Sequence, residues 1–160
     1  MSDLGMSVIE IDLGEGYALS DDPARLQPAA IHAYLTRSYW SPGIGRALVE
    51  KAMAGSHCVG VYAGDEQVAF ARVVTDHATF AHLADVYVLE GHQGHGLASA
   101  MLRYFDAHPD LQDMRRWTLN TRDAHSLYER HGWERITGIF MQRFDGEATA
   151  RATQRLDGAA

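Results

Sequence analysis

The residues best placed to do chemistry lie in the run DVYVLEGHQGHGLASAMLRYF, residues 85–105. An apolar, strand-like stretch passes through Gly91-His92-Gln93-Gly94-His95-Gly96 directly into an amphipathic helix. Glycines at a strand-to-helix junction let backbone N–H groups come close to a ligand. The first helical turn adds unpaired donors and the positive end of the helix dipole. A junction of this kind is a site for phosphate. Its spacing excludes two common phosphate loops, since there is no GxxxxGK[ST] and Gly91-x-x-Gly94-x-Gly96 is not GxGxxG. The nine histidines, His92 and His95 among them, invite a metal reading. No HExxH and no Cys/His ligand set is present, so no metal is expected, and these two read as loop side chains lining the phosphate site. Cys58 is the only cysteine, which excludes an intrachain disulfide and a cysteine-based zinc site. Within HCVGVY it reads as a buried strand thiol.

Gln93-x-x-Gly96-x-Ala98 resembles the Q/R-x-x-G-x-G/A signature of the GNAT N-acetyltransferase superfamily. Further along, RRWTLNTRDAHSLYERHGW resembles the second half of that signature, N-x-x-A-x-x-L-Y-x-x-x-G-F. Ala124, Leu127, Tyr128, Gly132 and Trp133 fall in register, with Trp133 in place of Phe. The resemblance implies acetyl-CoA as co-substrate. Gln93, Gly94, His95, Gly96, Leu97 and Ala98 would cradle its pyrophosphate. Val86, Tyr87 and Val88 would offer backbone amides to the pantetheine arm and the thioester carbonyl. The family's asparagine, which helps hold that arm, falls at Thr121, with Asn120 one residue early, so either is a candidate contact.

The same resemblance assigns Tyr128 the role of general acid, because the departing CoA thiolate needs a proton and a phenol near the sulfur can supply it. It also asks for a base, since attack requires a neutral amine. Asp85 is the only carboxylate in the body of its strand and is the candidate, with pairing to Arg72 as the alternative role and Glu90 as a second acid nearby. Tyr39, Trp40 and Arg72 are the candidate contacts to the acceptor, since the two early helices wall the acceptor pocket in this family.

Positioning these groups requires a mixed sheet. The pattern predicts a strand over 16–20, a helix from 20 to 40 capped by Asp21 or Asp22, and a second helix over 44–54. Strands over 57–62 and 67–75 flank a glycine-containing turn, and a third long strand covers 79–88. A helix over 97–107, a strand over 116–120, a short helix over 123–131 and two short strands within 133–144 complete the series. Interspersed helices and hairpins define an α/β (α+β) class; the resemblance implies the GNAT fold, a mixed central sheet of about six to seven strands flanked by about four helices. Residues 1–145 read as one domain, and 146–160 as a tail that frays or forms a loose helix.

One domain is what 160 residues can close around a core. No apolar run approaches the ~20 residues of a membrane span, and the N-terminus lacks a secretory pattern, so a cytoplasmic protein with no membrane partner is expected. The net charge of −7 opposes nucleic acid and mildly favours a cationic acceptor. The expected partner is a small-molecule amine, such as a polyamine or an amino compound, or a peptide; a homodimer is left open. The alternative reading is a non-catalytic acyl-CoA-binding or sensor module on the same fold.

Overall fold

The computed structural model describes residues 7–159. Six strands form a single sheet: β1 (Glu10–Gly14), β2 (Tyr17–Ser20), β3 (His57–Ala63), β4 (Glu66–Thr75), β5 (Phe80–Val88) and β6 (Arg116–Thr118). Five helices accompany them: α1 (Pro28–Leu35), α2 (Arg46–Ala54), α3 (Leu97–Ala107), α4 (His125–Glu129) and α5 (Ala148–Gly158). The spatial order of the strands is their sequence order. All neighbours are antiparallel except β5 and β6, which run parallel, with α3 in the crossover between them. The fold is the mixed α/β sheet that the sequence pattern implied. No helix among the described residues is long and apolar enough to cross a membrane.

Two apolar layers hold the sheet. On one face Leu97, Met101, Leu102 and Phe105 of α3 pack on Val59, Val61, Val68, Ala71 and Leu83. On the other, Ile31 and Leu35 of α1 and Val49 of α2 close over Phe70 and Tyr87.

Several elements depart from expectation for local reasons. β1 was not foreseen, although Ile9, Ile11 and Leu13 alternate and Glu15-Gly16 supplies two residues at positive φ, 54° and 82°, the geometry of a tight hairpin turn. The helix expected over 20–40 is broken in two. Asp22 caps a short 3₁₀ turn, Pro23–Arg25, with its carboxylate accepting from Ala24 N–H at 2.9 Å. The chain then extends through Leu26 and Gln27, because a residue before proline is pushed out of helical geometry, and Pro28 starts α1 afresh. α1 ends at Leu35, which leaves Tyr39 and Trp40 on a bend rather than a helix. The two strands expected within 133–144 do not form among the described residues; that run is irregular, with a bend at Gly138-Ile139, and pairs with no strand. The last segment forms α5, which rests on α2, with Gly45 N–H donating to Thr153 Oγ1 at 2.9 Å.

Candidate active site

The site begins where β5 loses its regularity. Arg72 pairs with Ala84 and Phe70 with Tyr87, so one residue of β4 faces two of β5. Asp85 is the extra residue, held at φ 55°. Leu83 and Val86 consequently pack on the same face although three apart, a bulge that re-aims the strand. β6 pairs with β5 only from Phe80 to His82, pinned by His82 Nδ1 and Thr118 Oγ1 at 2.7 Å. Burial lowers the His82 pKa, favouring the neutral ring. Beyond that point the two strands part and enclose a cleft of about 730 Å³.

The cleft gathers Tyr39, Trp40, Arg72, Asp85, Val86, Asn120, Thr121 and Tyr128, all singled out from sequence. Tyr128 is buried, which pushes its phenol up to about 12, so the hydroxyl holds its proton at neutral pH. Both oxygens of Asp85 are engaged: Arg72 Nε donates to Oδ2 at 2.6 Å and Trp40 Nε1 to Oδ1 at 2.8 Å. The pairing alternative for Asp85 is therefore the one realised. It ties the α1–α2 connection to the bulge, and no periodicity could have shown that Trp40 reaches it. Glu90, the other candidate acid, forms a two-pronged bridge with Arg37, at 2.7 and 3.0 Å, which holds its carboxyl below the usual range. Thr121 Oγ1 accepts from Ala124 N–H at 3.0 Å and so starts α4, while Asn120 is exposed beside it. Arg122 and Asp123 also line the cleft and were not foreseen. The Arg122 guanidinium lies 3.8 Å from the Tyr39 ring centroid.

At the end of β5 the glycine loop turns into α3. Gly94 and Gly96 take φ of 85° and 73°, and a Cβ at either would meet no atom within 4 Å. The left-handed backbone, not crowding, is what calls for glycine there. Gln93 Nε2 donates to the Val88 carbonyl at 3.2 Å. Leu97 is buried, so it can offer a ligand its backbone N–H but little of its side chain. His92 Nδ1 bonds Tyr17 hydroxyl and His95 Nδ1 bonds Glu15, each at 2.8 Å. The loop histidines therefore brace the β1–β2 hairpin. Tyr87 also faces inward, stacked on Tyr34 with centroids 4.0 Å apart; of Val86, Tyr87 and Val88, only Val86 lines the cleft.

One three-residue cluster, Asp21, His57 and His108, has metal-ligand character but is closed on itself. Tyr104 hydroxyl donates to Asp21 Oδ2 at 2.6 Å, so His57 Nε2, 2.6 Å from the Tyr104 hydroxyl oxygen, must donate to that hydroxyl. His108 Nδ1 accepts from Asp110 N–H at 3.1 Å.

The sheet thus parts at a bulge, with a buried phenol in the gap and a glycine-containing loop leading into α3 beyond it. The acetyltransferase (GNAT) domain family matches residues 54–135. A candidate acetyltransferase of Gibberella zeae is 32% identical over 136 residues, covering 72% of this chain and 77% of that protein. Among solved structures, a candidate GNAT acetyltransferase of Xanthomonas campestris pv. campestris is 41% identical. It superposes with a TM-score of 0.76, over 81% of this chain and 93% of that one. A candidate acetyltransferase of Deinococcus radiodurans shares the fold at 19% identity, with a TM-score of 0.64 over 86% of this chain and 95% of that one. The chain belongs to the GNAT acetyltransferase family.

Proposed function

We propose that the protein moves an acetyl group from acetyl-CoA to a primary amine by direct attack in a ternary complex. The observation that carries this reading is the meeting of Tyr128 and the β5 bulge in one cleft, with the open glycine loop following at the end of the same strand. The residues fit the co-substrate. The first N–H groups of α3 have no partner within the helix, Gly94 and Gly96 leave free space above the backbone, and β5 beyond His82 is no longer paired with β6. Acetyl-CoA supplies the activated acyl group. Leu97 and Ala98 N–H, with Gly94 and Gly96, would hold its pyrophosphate, and the parted end of β5 its pantetheine arm.

The chain's own groups would then do three things. Trp40 and Tyr39 form an aromatic wall against which an acceptor packs. Asp85 holds Trp40 and Arg72 in place as a positioning residue, and the ammonium proton of the acceptor leaves through cleft water. Tyr128 delivers its hydroxyl proton to the departing sulfur as the new C–N bond forms and the C–S bond breaks, and regains it from solvent. A small cationic acceptor accords with the net charge of −7.

The experiment is thiol release from acetyl-CoA across a panel of polyamines, amino acids, aminoglycosides and peptide N-termini. Turnover with at least one amine is expected. Tight acetyl-CoA binding with no turnover on any would favour the second reading, a non-catalytic acyl-CoA-binding module. That reading draws on one observation, the engagement of both candidate carboxylates, Asp85 and Glu90, by cationic partners.

A further inference from the structure

Two acidic and two guanidinium side chains line the cleft: Asp85, Asp123, Arg72 and Arg122. Arg72 and Asp85 answer each other. Their contact is 2.6 Å long and mostly buried, so neither has charge to spare for a ligand. Arg122 and Asp123 are both exposed, and among the described residues neither takes part in an ion pair.

Arg122 is nonetheless held in place. Its guanidinium sits 3.8 Å from the Tyr39 ring centroid, and its backbone N–H reaches the Tyr39 hydroxyl at 3.4 Å. Tyr39 meets Trp40 edge-on, with centroids 5.1 Å apart, and Trp40 is tied to Asp85 at 2.8 Å. The aromatic wall therefore carries Arg122 at one end and is fastened to the β5 bulge at the other. A guanidinium covered on one face keeps the N–H donors around its edge, the arrangement that grips a carboxylate with two parallel bonds. Asp123 follows directly, and consecutive Cα atoms are about 3.8 Å apart. That is the scale on which an amino acid separates its own two charges. Asp123 also lies on the reacting side of the cleft: the Tyr128 pKa is raised by burial first, then by Tyr39 and Asp123.

Granting the acetyl transfer proposed above, on which this rests, we propose that the acceptor is an α- or β-amino acid, its carboxylate on Arg122 and its ammonium beside Asp123. The net charge of −7 opposes a carboxylate only at long range, because salt screens beyond roughly 8–10 Å. Within the cleft the unpaired guanidinium decides. An amine with no carboxylate nearby would leave Arg122 unanswered. Transfer yields the N-acetyl amino acid, free CoA thiol and one proton released to solvent. The product has lost its positive charge, so the Asp123 contact goes while the Arg122 contact stays.

Matched acceptors test this: phenylalanine with phenethylamine, lysine with cadaverine, β-alanine with ethylamine, and the carboxamide of each amino acid. Thiol release from saturating acetyl-CoA gives kcat/KM for each. The wild type should prefer the amino acid by roughly tenfold or more, the scale of one charge-assisted pair. In Arg122→Gln the KM for the amino acid should rise and the ratio fall towards one. Arg122→Lys, which keeps the charge without the fork, should retain part of the preference. Turnover confined to amines without a nearby carboxylate, or a preference that survives Arg122→Gln, overturns the proposal. Failure of acetyl transfer itself would look different, with no thiol release from any amine. Calorimetry of the same compounds on the CoA-bound protein then decides. Binding of the amino acids alone, lost in Arg122→Gln, upholds the carboxylate site, and equal or absent binding overturns it. Arg122 is exposed; if a variant nevertheless failed to fold, the wild-type preference decides by itself.

Discussion

Asp85 and Tyr128 face the same cleft, but their surroundings suit them to different work. The Asp85 carboxylate touches a guanidinium and an indole N–H, and its side chain and that of Arg72 are only 11 and 18% exposed. Asp85→Asn should therefore act by loosening the wall. It should cost about 2 kcal/mol of stability by leaving Arg72 without its counter-charge, and raise the acceptor KM, while the pH profile of kcat/KM stays parallel to wild type. Partial recovery of the variant at high pH would instead make Asp85 the base. Tyr128 makes no such pair, and burial keeps its phenol protonated. Tyr128→Phe keeps the ring's edge contact with Trp133, at 6.0 Å, and removes only the proton. General-acid help is worth ~10²–10⁴-fold, so kcat should fall within that range while acetyl-CoA affinity, read by calorimetry, changes little. A loss below about tenfold would mean that water protonates the thiolate and the phenol only orients it.

At the scale of elements, what could be read in advance was what depends on neighbours in sequence. α3 spans Leu97–Ala107 as its apolar spacing implied, and the β3–β4 hairpin closes on Gly64-Asp65 between the paired Ala63 and Glu66. The glycine loop was legible because two glycines at positive φ have no common substitute. The break at Pro28 could have been read from the same kind of rule but was not. What stayed hidden depends on distant partners: Trp40 on Asp85, 45 residues apart, the bulge itself, and His95 on Glu15. The strands expected over 133–144 are missing because strand-forming composition makes a strand only where the segment pairs and packs with neighbours, and this run does neither. The loop carries its own prediction. Gly96 sits at φ 73° at the start of α3, so Gly96→Leu adds backbone strain of about 1–2 kcal/mol. It also places a side chain in the space where phosphate would approach. The variant should stay folded and lose acetyl-CoA affinity at least tenfold by calorimetry. Unchanged affinity in the folded variant would remove the pyrophosphate from this loop.

For the molecule as a whole, the joint that links its parts lies away from the cleft. Asp21 follows β2, His57 opens β3, and Tyr104 and His108 come from α3 and its end; hydrogen bonds link Asp21, Tyr104 and His57, and His108 Nε2 lies 3.8 Å from Asp21. Ile9 N–H, just before β1, donates to the same Asp21 at 2.7 Å. Burial, followed by the neighbouring His108 and opposed by Asp21, lowers the His57 pKa from 6.5 to about 4. Between those values an unfolded chain binds a proton at His57 that the folded chain refuses. The contribution is therefore fully present above pH 6.5 and is lost as pH falls towards about 4. Discounted for the partial exposure of the ring, it amounts to on the order of 1–2 kcal/mol. Protonation would also put a cation beside His108 and His77, which face the ring at centroid distances of 4.6 and 6.2 Å. Thermal unfolding followed from pH 7 down to 4 should show the wild type losing stability across this window. His57→Gln should start less stable and fall less steeply, because a neutral amide can donate to Tyr104 but takes up no proton. The same slope in both proteins would assign the acid sensitivity to other groups and leave the His57 joint a packing feature alone.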